Sequence, residues 1–212
     1  MQISPSILSA DFANLQKEIE TVNNADMIHI DVMDGIFVPN ITIGIPVVQS
    51  LKNTTNIPLD VHLMITNPEK YIDKFIEAGA DSITFHAEAT ENISKCIQII
   101  SESCAKPCIA LKPNTNIEKV IPYLDNLYMV LIMTVEPGFG GQQLIPSCLD
   151  KVRALKEKIL VNNNTTLIQA DGGISEKNIG IVKESGVDVA VVGSALFTQC
   201  DRHKLIEKMK YI

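Results

Sequence analysis

Short apolar runs alternate with amphipathic stretches about eight times along this chain of 212 residues. The runs that read as strands are Ile3 to Leu8, Met27 to Val32, Pro58 to Leu63, Ser82 to His86, Pro107 to Lys112, Leu127 to Met133, Thr166 to Asp171 and Asp188 to Val192. Helical patterns fill the gaps. Ala13 to Val22 sets Leu15, Ile19 and Val22 on one face at helical spacing. Pro146 to Leu160, Glu176 to Glu184 and Asp201 to Met209 behave alike. Asn67-Pro68-Glu69 reads as a cap with proline at the first helical position. Ala78-Gly79-Ala80-Asp81 and Ser185-Gly186-Val187-Asp188 read as glycine C-caps leading into strands. Eight strand–helix repeats predict an α/β fold, a compact (β/α)₈ TIM barrel, shorter than the ~250 residues usual for it. No composition shift or linker interrupts it, so residues 1–212 are expected to form a single TIM-barrel domain. A doubly wound open sheet is the rival, weakened because no Gly-x-Gly-x-x-Gly follows the first strand.

Composition removes several function classes. A formal charge of -7, with no Lys/Arg block, argues against a nucleic-acid partner. No apolar run approaches the ~18 residues that span a bilayer, and Met1-Gln2-Ile3-Ser4-Pro5 has no signal-peptide pattern, so no membrane partner is expected. The five cysteines are odd in number and form no Cys-x-x-Cys pair, which fits a reducing cytoplasm.

In such a barrel the strand C-terminal ends share one rim, and active sites lie there. His29 and Asp31 are two apart in a strand and therefore point to one face. His62 and Asp171 fall near the ends of two other strands. A lone histidine on a strand is more often a satisfied core residue than a ligand. Two histidines and two carboxylates on one rim instead suit one divalent metal ion, Zn²⁺, Fe²⁺, Mn²⁺ or Co²⁺. Asp31 and Asp171, read as lying on roughly opposite sides of the barrel, also suit proton removal from one face of a carbon and delivery to the other. The plainer alternative is that both only hold metal. Asp34 follows the strand and could bond backbone or a ligating histidine, while His86 could be a fifth ligand, a substrate contact or a support.

Three glycine-rich segments follow the last three strands: Val135 to Gln142, Asp171-Gly172-Gly173-Ile174-Ser175 opening a helix, and Val192-Gly193-Ser194-Ala195 opening a short helix. Unobstructed backbone amides at helix N-termini make an anion site, and phosphate sites in this fold use the loops after strands seven and eight. Val135 to Gln143, with Gly138, Gly140, Gly141 and Phe139, is expected to act as a mobile lid. Met33, Met64 and Met133 each end a strand, either as core filler or as a soft, water-poor cavity floor.

The chain resembles the ribulose-phosphate 3-epimerase family along essentially its whole length. The resemblance rests on Pro5 to Asp11, His29 to Asn40, Asp60 to Met64, His86-Ala87-Glu88, Met133 to Gln142, Asp171-Gly172-Gly173 and Gly193-Ser194. It implies a metal-dependent interconversion of D-ribulose 5-phosphate and D-xylulose 5-phosphate at C3 through a cis-enediolate. It implies the ligand set His29, Asp31, His62 and Asp171, with Asp31 and Asp171 as the acid/base pair. It implies substrate contacts at Ser6, His62, Gly138, Phe139, Gly140, Gly141, Asp171, Gly172, Gly173, Gly193 and Ser194, and the three methionines also match. A 3-epimerase of a six-carbon ketose phosphate such as allulose 6-phosphate would use the same site. The expected partners are a phosphorylated ketose and further copies of the chain as a homo-oligomer. Two departures stand out: Ile36 where a polar or basic residue is common, and Gln169-Ala170 where Glu-Val is common.

Overall fold

Ile28-His29-Ile30-Asp31-Val32-Met33 shows how the strands are built. Side chains alternate between the two faces of a strand. Ile28, Ile30 and Val32 turn outward, into a cluster of 50 buried residues shared with the surrounding helices. His29, Asp31 and Met33 turn inward. Fully burying one isoleucine or valine contributes ~1.5–3 kcal/mol. The outer layer can therefore carry the fold while the inner face holds polar groups.

The computed structural model describes residues 1–212. Its strands are β1 (Gln2–Pro5), β2 (Ile28–Met33), β3 (Leu59–Met64), β4 (Ser82–His86), β5 (Lys106–Leu111), β6 (Met129–Met133), β7 (Leu167–Asp171) and β8 (Val189–Val192). All neighbours pair in parallel in the order β1-β8-β7-β6-β5-β4-β3-β2. A parallel bridge between Ser6 and His29 joins the two ends, so the eight strands form a nearly closed (β/α)₈ barrel rather than a doubly wound sheet. The helices are α1 (Leu15–Glu20), α2 (Ile45–Lys52), α3 (Ile72–Glu77), α4 (Ile93–Ser101), α5 (Ser147–Val161), α6 (Ile179–Glu184), α7 (Ser194–Phe197) and α8 (Arg202–Tyr211). Inside the ring, Met27, Cys108, Met129 and Val189 pack together as an apolar plug at the strand N-terminal end.

The strands follow the sequence pattern closely except β1, which ends at Pro5 because the run on to Leu8 turns into the 3₁₀ segment Ile7–Ser9, with Ser6 Oγ accepting from the Leu8 N–H; the helices depart from it in four places. Between β5 and β6 the crossover is two 3₁₀ segments, Ile117–Lys119 and Ile121–Asn126. Pro122 supplies no backbone N–H there, which disfavours one continuous helix. The eighth helix comes instead after β8, where α7 precedes α8. The amphipathic stretch from Ala13 begins as a 3₁₀ turn, Phe12–Asn14, and becomes α-helical only at Leu15. Asn67 does not cap with its side chain; it sits at φ 50° and leads into the 3₁₀ turn Pro68–Lys70. The loop after β7 does not open a helix directly, because α6 starts at Ile179. There Asn178 turns back, accepting from the Ser175 N–H at 2.8 Å and donating to the Gly173 carbonyl at 2.8 Å. The two glycine C-caps are present, with Gly79 at φ 98° and Gly186 at φ 104°.

Candidate active site

Strand register brings the rim together. His29 pairs with Asp60 and Asp31 with His62 across β2 and β3, so four polar side chains from two strands share the inner face. Asp171 ends β7, three strands from β2 around the ring of eight and so roughly across the barrel from it. One donor atom from each of His29, Asp31, His62 and Asp171 lies within 4.8 Å of the others. His29 Nε2 is 3.2 Å from His62 Nδ1 and 3.4 Å from Asp31 Oδ1, and His62 Nδ1 is 3.3 Å from that oxygen. Asp171 Oδ2 lies 3.8 Å and 3.9 Å from the same two nitrogens.

These separations test the fit to a metal. Four donors ~2.1 Å from one ion in a tetrahedral array stand about 3.4 Å apart along each edge. The observed edges bracket that value, and the donor set of two imidazoles and two carboxylates is one that divalent transition ions take. The residues present therefore fit such an ion. The cluster is buried, with side-chain exposures of 0% for His29 and His62, 5% for Asp31 and 16% for Asp171. Only Asp171 opens appreciably to the pocket.

The two carboxylates differ electrostatically. Burial alone would raise Asp31. The charge and hydrogen bonding of His29, joined by His62, overcome it and hold Asp31 well below the usual carboxylate range. Ser6 Oγ also donates to Asp31 Oδ2 at 2.6 Å. Asp171 is pushed up to about 6, first by burial and then by the neighbouring negative charge of Asp31. Burial works against a charged His29, yet Asp31 and Asp60 raise it well above an ordinary imidazole.

Each expected site residue has a place. Ser6, Met33, Met64, Met133, Gly138, Phe139, Gly140, Gly141, Gly172, Gly173, Gly193 and Ser194 line one pocket with Asp31 and Asp171. Met33 pairs in register with Met64, and Met133 with Asp171, so the methionines line the pocket beside the acids. His62 is not among the residues lining that pocket; it lies buried within the ligand cluster. Gly193 caps α7, and Ser194 opens it. A side chain at Gly193 would point at Ser9 Oγ, 2.9 Å from its Cβ. Gly173, at φ 66°, lies so close to the Leu144 backbone nitrogen that a Cβ would sit 2.2 Å from it. His86 is not in the ligand cluster; its Nε2 lies 3.0 Å from His62 Nε2. Asp34 uses both oxygens on the chain itself, accepting from the Ile36 and Phe37 N–H groups and from Thr66.

A supporting layer was not singled out from sequence. Asp60 Oδ2 lies 2.8 Å from His29 Nδ1, and Asp60 also accepts from Gln169 Nε2 at 2.7 Å and Ser82 Oγ at 2.8 Å. Glu88 Oε2 lies 3.2 Å from His86 Nδ1. Asp60 is two residues before His62, and Gln169 two before Asp171, so strand parity was the signal that could have found them.

Comparison with known proteins bears on this geometry. The ribulose-phosphate 3 epimerase family model matches residues 2–197. The ribulose-phosphate 3-epimerase of Mycobacterium bovis is 49% identical over 195 residues, covering 92% of this chain and 85% of that protein. The Bacillus subtilis protein of the same name is 45% identical over 216 residues, covering 99% and 98%. Among solved structures, 3-hexulose-6-phosphate synthase from Salmonella typhimurium superposes with a TM-score of 0.74 at 18% identity, covering 100% of this chain and 97% of that one. A tryptophan synthase alpha-subunit from Pyrococcus furiosus reaches 0.74 at 14% identity, covering 100% and 98%. Those two likenesses concern the barrel alone. With the family model spanning nearly the whole length and near half of the residues shared with such relatives, the chain belongs to the ribulose-phosphate 3-epimerase family.

Proposed function

We propose that this chain inverts C3 of D-ribulose 5-phosphate to give D-xylulose 5-phosphate, and the reverse. The observation that carries the reading is the pair Asp31 and Asp171, drawn to one pocket from two strands with their proton affinities driven apart. Inversion by two bases needs one carboxylate to take the C3 proton and one carboxylic acid to deliver its own proton to the other face. Asp31, held low and oriented by Ser6, is the ionised partner; Asp171, raised to about 6, is the one of the pair that takes up a proton more readily. In the reverse direction the roles exchange.

His29, Asp31, His62 and Asp171 would hold one divalent ion. When bound, it supplies positive charge that offsets the negative charge the ketose gains on losing its C3 proton. The pocket-lining methionines and the buried histidines keep water from the reacting carbon. Gly138, Gly140, Gly141, Gly172, Gly173 and Gly193 line the pocket without side chains, which suits recognition of the phosphate by backbone N–H groups. A homo-oligomer belongs to the same reading: Ile36 and Ile41, 77% and 75% exposed beside the rim, are apolar surface for a second copy to cover. So does a cytoplasmic setting, on the odd count of five cysteines without a Cys-x-x-Cys pair.

The test is a panel of ribulose 5-phosphate, allulose 6-phosphate and unphosphorylated ribulose, run in D₂O with metal content measured. Turnover on the five-carbon phosphate with deuterium entering C3 is expected. Preference for the six-carbon phosphate would move the assignment to that substrate. Absence of deuterium at C3 in the product would remove the two-carboxylate chemistry.

A further inference from the structure

His62 can serve the ligand cluster only if its Nδ1 offers a lone pair. A neutral imidazole carries one N–H, so the proton must then sit on Nε2. Nothing among Asp31, Asp171 and His29 compels this, since a proton on His62 Nδ1 would find an acceptor in Asp31 Oδ1 at 3.3 Å. The other side of the ring decides. His62 Nε2 faces His86 Nε2 at 3.0 Å, with the two rings stacked at 26° and 5.0 Å between centroids. One of these two nitrogens donates and the other accepts. Beyond it, His86 Nδ1 faces the Glu88 carboxylate at 3.2 Å. A carboxylate has only acceptors. His86 must therefore carry its proton on Nδ1, its Nε2 must accept, and His62 must donate from Nε2. Glu88 is held for this by the Lys112 backbone N–H, which donates to its other oxygen at 2.9 Å. Phe37, 4.8 Å from the His86 ring centroid, adds an apolar neighbour.

We propose that Glu88 and His86 are positioning residues that act through a chain of single-proton choices to turn the Nδ1 lone pair of His62 toward the ion. The inference rests on the metal reading above. A group that orients a ligating histidine typically contributes 10–100-fold in metal affinity. Glu88→Gln is the informative change, because its amide can donate to His86 Nδ1. Every proton in the chain can then reverse, and His62 turns an N–H toward the ligand cluster.

The experiment uses the full chain with ¹⁵N-labelled histidine and Zn²⁺ as the probe. Long-range ¹H–¹⁵N correlation on metal-free protein assigns the protonated nitrogen of His62 and His86. The expected wild-type pattern is N–H at His62 Nε2 and at His86 Nδ1. Glu88→Gln should shift both, with Zn²⁺ binding weakened about 10–100-fold. His86→Phe should weaken Zn²⁺ binding by a like factor, and adding Glu88→Gln to it should cost nothing more, because the chain is already broken. A proton on His62 Nδ1 in the wild type would overturn the proposal, as would additive losses in the double variant. If the wild type bound no Zn²⁺ at all, the metal reading would fall while the proton pattern still judged the Glu88–His86–His62 chain. That pattern needs no variant, so a substitution that failed to fold would leave the proposal decidable.

Discussion

Asp31 and Asp171 carry the same side chain and are set apart by what surrounds them. Ser6, His29 and His62 crowd Asp31, whereas Asp171 meets burial and the charge of Asp31 itself. Asp31→Asn and Asp171→Asn should each lower turnover by at least ~10²-fold, the usual worth of a general acid or base. Bound metal must be measured in both, and near wild-type turnover in either would remove that residue from the acid/base pair. Asp34 makes a different prediction. Burial pushes its carboxyl up, but the Thr66, Ile36 and Phe37 N–H groups win and leave it below 3.8. A lowered folded value means its contribution is full above about pH 4 and is lost as pH falls through the folded value. Hydrogen bonds to a charged group contribute ~1.5–3 kcal/mol. Asp34→Ala should cost about that much at neutral pH, and the gap to wild type should close in acid. A gap independent of pH would mean the loss is packing. The chemistry-bearing residues were legible singly, since a histidine or aspartate on an apolar strand is conspicuous. Their supports were not: Asp60 is known as the partner of His29, and Gln169 as the partner of Asp60, only once β2, β3 and β7 face one interior.

At the scale of elements, the strands were readable and the crossovers less so. Apolar runs fix most strands to within a residue or two, as for β4 at Ser82–His86, whereas the run from Ile3 overshoots the end of β1 by three residues. The β5–β6 connection has no comparable signal, and Pro122 left it as 3₁₀ turns. The glycine loops were visible as motifs, but their work differs from one glycine to the next. Gly141 sits at φ 75° with nothing near its missing side chain, while Gly173 at φ 66° faces backbone at 2.2 Å. Gly141→Ala should then cost only the strain of that conformation, ~1–2 kcal/mol. Gly173→Ala must displace Leu144 and the segment before it, so it should lose more stability and raise KM for the phosphorylated ketose. Equal effects of the two, measured by unfolding and kinetics, would deny the close approach. That same segment, Val135 to Gln143, is tethered by Asn40 Nδ2 donating to the Gly138 carbonyl at 2.9 Å and by Gln142 bonding Glu136 and Phe139. Phe139 nonetheless stands 55% exposed at its tip. The segment should gain amide-exchange protection when a phosphorylated analogue binds. No protection, with normal turnover in a Gly140→Pro, Gly141→Pro variant, would make it a rigid turn.

For the whole molecule, the barrel divides its labour between two shells. The outer shell, 50 buried apolar residues between strands and helices, contains none of the four proposed ligands. The inner shell holds the charge: His29, Asp31, Asp60 and His62 are almost wholly buried, and Asp171 joins them at the pocket. Alternation of strand and helix predicts the outer shell directly, because apolar periodicity is what it is made of. The count of eight repeats predicts ring closure, but not the contacts that make it, which are the pairing of β1 with β8 and the bridge from Ser6 to His29. The division has a measurable consequence. An ion that binds the folded chain and not the unfolded one stabilises by RT ln(1 + [L]/Kd), ~2.7 kcal/mol at 100 times Kd. Adding Zn²⁺ to metal-free protein should therefore raise Tm by a few degrees, the scale such an energy sets for a chain of this size. His29→Ala and His62→Ala should abolish that rise, lose the ion and most turnover, and still unfold cooperatively. Chelation should act on the wild type in the same way, reversibly. Collapse of the fold on chelation would show that the inner shell needs its ion to stand, and full turnover in protein proven free of metal would show that the chemistry does not.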